Sequence, residues 1–422
     1  MISYYLNNNK KIFYNLNYFE KLFITFPFFA ILGSFAINVF YVLMTILFFY
    51  SLYEKKNFKD YIKYIFFFFS AFIIIILSYI FSDYKNNLSL IRSISSIRFF
   101  LIIYIFFIFV KNKSFFKLLG QVSIISSLFL SFDIIFQYYF GFDFFGFKPF
   151  MENRYAGFLD EELVAGFYLS TFYLFSVIYI YSDNKLSRFF IFFSIVFFTI
   201  IITGERLALI KFIFLNFFIF VFLIRDLKKK IIFSSLILFL FFTSIMKLDS
   251  FKVRISELLF YLGSDYIVKI DPRYHKYNND SVSNSPWVSH WIVAAKIFKD
   301  HPLTGVGIKN FRVVCANKKY DVANSLHSSS CTTHPHNLYM EIFSELGLIG
   351  FLMLIIYTSY FIEKVLSLKK NFREPAFILF ISHIIFILIP ILPSGSIFSS
   401  YYGGILFFII SSTVAYLSML EK

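Results

Sequence analysis

The chain has 422 residues, of which 59% are hydrophobic, 23% aromatic and only 15% charged, with a formal charge of +15. Ordinary soluble domains are about 25% charged, so these figures exclude a disordered chain, a coiled coil, a disulfide-dense miniprotein and a cytosolic enzyme. They fit a polytopic membrane protein, for which the question about the excess of Lys and Arg is which side of the bilayer holds it.

A bilayer span needs about 20 mostly apolar residues. In chain order, twelve segments meet or approach that need: 22–36, 37–53, 62–81, 89–110, 115–140, 162–182, 187–203, 206–224, 231–247, 341–362, 374–393 and 402–420. The first two form one run, divided by a turn at Gly33-Ser34-Phe35. No small-residue cleavage site follows the first run, so it does not read as a signal peptide. With the N-terminus in the cytoplasm, the inside segments carry 21 Lys and Arg, whereas the short outside loops carry four: Lys85, Lys148, Arg154 and Arg206. That bias supports an even number of spans with both termini inside.

Residues 248–336 stand apart as one long polar loop, placed outside, between 1–247 with nine spans and 337–422 with three. It holds both Trp, both Cys and six of the seven His. Long loops of this kind are rare unless functional. Short helices are expected at 251–262 and 287–299, the second because Trp287, Trp291, Ala294, Ala295 and Phe298 recur at helical spacing.

Five groups of residues could carry chemistry. Cys315 and Cys331 lie 16 apart on the outside, where a disulfide is favoured over free thiols or a metal site with nearby His. His334-Pro335-His336 stands at the entrance to the tenth span; the pair lacks a third ligand at fixed spacing, so a general base near neutral pH is weighed against a solvated loop His. Thr203-Gly204-Glu205-Arg206 joins two spans; an Arg there can grip a phosphate through its planar fork, or it can snorkel or pair with Glu205. Arg154 precedes Asp160, Glu161 and Glu162, acids that could orient it, bind an acceptor hydroxyl or simply start a helix. Asp300-His301-Pro302-Leu303-Thr304-Gly305-Val306-Gly307 permits a tight turn whose amides could meet an anion, with Lys309 and Arg312 adding positive charge. His383, inside the eleventh span, reads as a satisfied bundle residue. The chain shows no phosphate-binding loop, dinucleotide fingerprint or nucleic-acid motif.

Taken in order, these segments resemble the O-antigen ligase and O-antigen polymerase superfamily of bacterial envelope glycosyltransferases. The resemblance rests on Thr203-Gly204-Glu205-Arg206 opening a span, Trp291, Ala294 and Ala295, then Asp300 to Gly307 with Phe311-Arg312 behind, and His336-Asn337-x-Tyr339-x-Glu341 running to Glu345-Leu346-Gly347-Leu348-Ile349-Gly350. It is most specific over 291–350. It implies an all-α integral membrane protein with about twelve transmembrane helices in a GT-C-like bundle and one long extracytoplasmic loop. It also implies transfer of a glycan from an undecaprenyl pyrophosphate carrier to a lipid A-core hydroxyl or a growing chain, without metal or other cofactor, at the periplasmic face of the inner membrane. By position, Arg206 matches the diphosphate-binding Arg and His336 the loop His. Many members carry a second Arg about four residues before the loop Trp, where this chain has Trp287, with His290 directly before Trp291. Arg312 and Arg254 are substitutes for it. Glu161 and Glu341 are candidates to orient the reacting groups, with His290, His334 and Arg154 beside the substrate. The rival readings are a lipid-linked glycan transporter and a sensor scaffold. Neither needs a span-entrance Arg together with a membrane-proximal His, and a transporter should show repeats and mid-membrane charges.

Overall fold

The computed structural model describes residues 12–54, 64–151, 153–182, 186–247, 286–322 and 330–421. Among them there is no β-strand, and one isolated bridge pairs Met151 with Arg154. In chain order the helices are α1 (Tyr18–Ile24), α2 (Phe26–Ile31), α3 (Gly33–Glu54), α4 (Ile65–Phe81), α5 (Asn87–Ser95), α6 (Ile97–Phe109), α7 (Ser114–Phe140), α8 (Ala165–Ser182), α9 (Leu186–Thr203) and α10 (Arg206–Phe218). There follow α11 (Leu227–Lys247), α12 (Pro286–Asp300), α13 (Phe311–Val314), α14 (Leu338–Ser367), α15 (Pro375–Ile387) and α16 (Tyr402–Leu420). A π-helical turn, Ile219–Leu223, extends α10.

Among the described residues, six segments are long and apolar enough to cross a bilayer: Gly33–Tyr53, Asn87–Phe109, Ser114–Phe140, Arg206–Leu223, Leu338–Ser367 and Tyr402–Leu420. Four shorter apolar helices lie among them: Ile65–Phe81, Ala165–Tyr181, Ser187–Thr203 and Pro375–Ile387. Phe35, Phe66, Phe132 and Leu238 keep more than 60% of their surface exposed, an apolar exterior that suits lipid tails rather than water. The chain is an all-α, multi-pass membrane protein.

Several expected spans differ in detail. Segment 22–36 is two short helices, because Pro27 sits in the first turn of α2 and Gly33 takes a left-handed φ of 87°. Segment 89–110 steps at Ser96 between α5 and α6. Segment 374–393 is helical only to Ile387, since Pro390 and Pro393 cannot continue the backbone ladder. Of the two expected loop helices, 287–299 is α12, and 251–262 lies outside the described residues.

The centre of the bundle is α8. Tyr168, Leu169, Phe172, Tyr173, Leu174, Phe175 and Val177 are fully enclosed, as a helix apolar on every side requires. It packs on α7, α9, α10 and α15. Its approach to α7 depends on Gly120, where a Cβ would come within 2.3 Å of the Phe175 carbonyl oxygen. A second, smaller core joins Val293, Ala294 and Ile297 of α12 to Val306, Phe311, Val314, Cys315 and Tyr320. It sits at the end of the bundle where α10 and α14 begin, the loop end.

Candidate active site

The glycine-rich segment 302–307 lies along a break in α14. Gly347 has φ 65° and ψ −160°, so the helical ladder is interrupted and carbonyls around it must find other donors. The amides of Val306 and Gly307 donate to Ser344 O and Glu345 O at 3.0 and 2.9 Å, and those of Leu348 and Ile349 donate to Pro302 O and Leu303 O at 2.8 and 3.2 Å. Ser78 and Ser82 of α4 and the chain following it add hydroxyl donors to Thr304 O and Val306 O, both at 2.6 Å. The amides of Val306 and Gly307, read from sequence as an anion cradle, are thus committed to the backbone of α14. Both glycines of this contact are dictated by space: a Cβ on Gly305 would meet the Glu345 backbone at 2.4 Å, and one on Gly347 the Leu303 carbonyl at 2.4 Å.

This junction aims α12 and the N-terminus of α14 at the start of α10. Glu205 does not serve Arg206. Its carboxylate accepts the Gly166 and Phe167 amides at 2.7 and 3.0 Å and so caps the start of α8. Burial pushes that carboxyl up to about 7, against the pull of those amides and of the nearby Arg154. The Arg206 guanidinium lies over the Trp287 ring, 5.2 Å from its centroid, a cation–π contact. Trp287 is therefore the surface on which Arg206 rests.

One turn along α12, the His290 ring is 5.6 Å from that of His336, and His336 is 4.0 Å from His334. His290 Nδ1 lies 2.9 Å from Ser330 O. A carbonyl only accepts, so Nδ1 carries the proton. His336 has a left-handed φ of 54°, a conformation His tolerates better than most residues. Burial, then the neighbouring His290, pushes His336 down to about 4. Burial, then His336 and Lys309, pushes His334 down to about 2. Both imidazoles are neutral at pH 7.

The opposite wall is a strap, residues 388–397, that crosses the N-terminus of α14. Asn337 caps α14 by accepting the Tyr339 and Met340 amides, and its Nδ2 donates to Pro390 O and Leu392 O at 2.7 and 3.1 Å. Tyr339 Oη donates to Leu388 O at 2.6 Å, and the Ser394 amide donates to His336 O at 2.9 Å. Fully buried Glu341 accepts the Ser396 hydroxyl on Oε1 and the Ile397 amide on Oε2 at 3.0 Å. Lys309 Nζ donates to that same Ser396 oxygen. Cys315 and Cys331 are joined in a disulfide with Cα atoms 5.1 Å apart, tying α13 to the chain that leads to His334; closing such a loop contributes about 3 kcal/mol.

Of the residues singled out from sequence, Arg206, His290, His334, His336 and Glu341 are gathered at the loop end by these contacts. Arg312 is exposed, and its charge reaches Lys309 and His334. Arg154 is half-buried within electrostatic range of Glu205. Arg254 lies outside the described residues, as does the side chain of Glu161, whose backbone is in a 3₁₀ turn, Gly157–Glu162. Among the described residues no group of three His, Cys, Asp or Glu is arranged to hold a metal ion. Sequence reasoning missed Ser396 and the strap, although Pro390, Pro393 and Gly395 signalled a break. It also hid Arg92 and Arg98 within a span. Arg98 Nη2 donates to Ser400 Oγ at 3.4 Å, and Arg92 lies within electrostatic range of Lys309.

The assembled groups are a cation on an aromatic platform, neutral imidazoles 4.0 Å apart and a rigid backbone junction, parts suited to binding an anionic leaving group and handling a hydroxyl proton. No curated protein matches the chain. A family model described as O-antigen ligase matches residues 190–355, a stretch that begins before Arg206 and ends beyond Gly347. The match over residues 190–355 supports the O-antigen ligase superfamily for this chain and, at the general level, glycan transfer of the ligase or polymerase type.

Proposed function

We infer that the protein transfers a glycan from an undecaprenyl pyrophosphate carrier to a sugar hydroxyl of lipid A-core, at the periplasmic face of the bacterial inner membrane, with both termini cytoplasmic. The observation that carries this reading is the convergence of Arg206, on Trp287, with His290 and His336 at one end of a membrane bundle. A lipid-linked donor presents its diphosphate at the membrane surface, where those groups stand. The acceptor oxygen attacks the anomeric carbon as the carbon–oxygen bond to the diphosphate breaks. The diphosphate leaves with the electron pair, held by Arg206. The acceptor proton passes to His336. Diphosphate docking brings negative charge into a cationic neighbourhood, which raises the proton affinity of His336 above its resting value when the proton must be taken. The transporter reading lacks such support, because these groups gather at the loop end rather than at mid-membrane.

Surface glycan from a strain lacking the gene tests the assignment. Unmodified lipid A-core with carrier-linked polymer accumulating is the expected result. A core capped by a single repeat would instead make the protein a polymerase, the second reading. An unchanged glycan profile would overturn both.

A further inference from the structure

Lys309 is a lysine in an improbable place. It is 6% exposed, follows the Gly305-Val306-Gly307 junction, and holds a left-handed φ of 62°. A non-glycine residue keeps that conformation only where its surroundings hold it there. On its N-terminal side, the Val306 and Gly307 amides are fixed to α14. On its C-terminal side, buried Asn310 donates to Tyr84 O, Ser89 Oγ and Val306 O and accepts from Asn86 Nδ2. The side chain is thereby aimed at the strap, where its ammonium meets Ser396, and the Ser396 hydroxyl meets Glu341. Two residues before Ser396, the strap grips His336 through the Ser394 amide.

We propose that Lys309 is a positioning residue of the transfer reaction, acting through Ser396 and Glu341 to lock the 388–397 strap across α14 and so to fix His336. The proposal rests on the glycan-transfer reading, in which His336 takes the acceptor proton. Lysine is needed for its charge as well as its reach. An ammonium offsets the fully buried Glu341 carboxylate, and it also repels a proton on the His334 imidazole. The groups that act on the His334–His336 pair are His290 from α12, Lys309 and Arg312 from the 301–315 segment, and the Ser394 backbone of the strap. Lys309 is among the groups that push His334 down. Removing it lets His334 take a proton at higher pH.

The test is the split between kcat and donor KM in glycan transfer by the full-length protein in lipid nanodiscs, with carrier-linked glycan as donor. Lys309→Met is expected to lower kcat about 10- to 100-fold, the scale of a misplaced reacting group, with donor KM within about twofold. Lys309→Arg should recover most of kcat. A Lys309→Met protein with the wild-type kcat would overturn the proposal. So would a loss confined to donor KM, which would make Lys309 a substrate-binding cation. If Lys309→Met does not fold, Ser396→Ala keeps the charge and removes the link; kcat should fall, and an unchanged kcat would overturn the proposal. His336→Ala is assayed alongside. Normal transfer by that variant would defeat the glycan-transfer assignment of His336 itself, whatever the Lys309 variants do.

Discussion

His336 is held by its neighbours at both ends of the residue: its carbonyl takes the Ser394 amide, and its ring lies between His290 and His334. Enclosure beside another imidazole favours the neutral form, so its pKa lies below the ordinary value of 6.5, at about 4. A base works only when unprotonated, so activity is retained through mildly acid pH and falls as pH drops through that pKa. The acidic limb of kcat/KM, which reports the free enzyme, should therefore lie near pH 4 rather than 6.5. A limb at 6.5 or above would mean that the proton-accepting group sits in a more solvated or more anionic setting. His336 and Arg206 were legible in the sequence because each belongs to a run whose residue order carries the information. Ser396 and the role of Trp287 were not, because each acquires meaning from a partner more than 50 residues away.

Among the elements, α14 shows how far periodicity reads and where it stops. Its apolar length is plain in the sequence, but nothing in hydropathy reveals that Gly347 breaks it and that residues 302–307 complete the broken ladder. The motif Gly305-Val306-Gly307 and the motif Glu345-Leu346-Gly347 are two halves of one joint. Gly347→Ala places a Cβ 2.4 Å from Leu303 O at a backbone conformation that L residues avoid. It should lower stability by about 1–3 kcal/mol, read as a fall in the thermal midpoint in detergent, and should reduce transfer by displacing His336. A variant as stable and active as the parent would show that the joint is not needed. The strap shows the opposite limit. Helix-breaking Pro390 and Pro393 marked where α15 must end, yet the use made of the freed chain follows from the caps and carboxylates it meets, Asn337 and Glu341.

At the scale of the molecule, the net charge of +15 has two parts. Of the 40 Lys and Arg, 21 fall in segments read from sequence as cytoplasmic, the bias expected of residues that set topology. A minority converge on the loop end, where Arg206, Lys309 and Arg312 surround or approach the imidazole cluster, with Arg92 and Arg98 beyond them. The all-α membrane architecture was legible from composition alone, since a lipid-immersed chain must satisfy its backbone within helices. The pairing of cations with imidazoles needed the fold. The most direct measurement is glycan transfer from a purified carrier-linked donor by the wild-type protein and its Arg206→Ala and His336→Ala variants, reconstituted at equal levels in lipid. The account predicts loss of transfer on the order of 100-fold or more in each variant, with the thermal midpoint of each close to that of the parent. Transfer at the wild-type rate by either variant would contradict it.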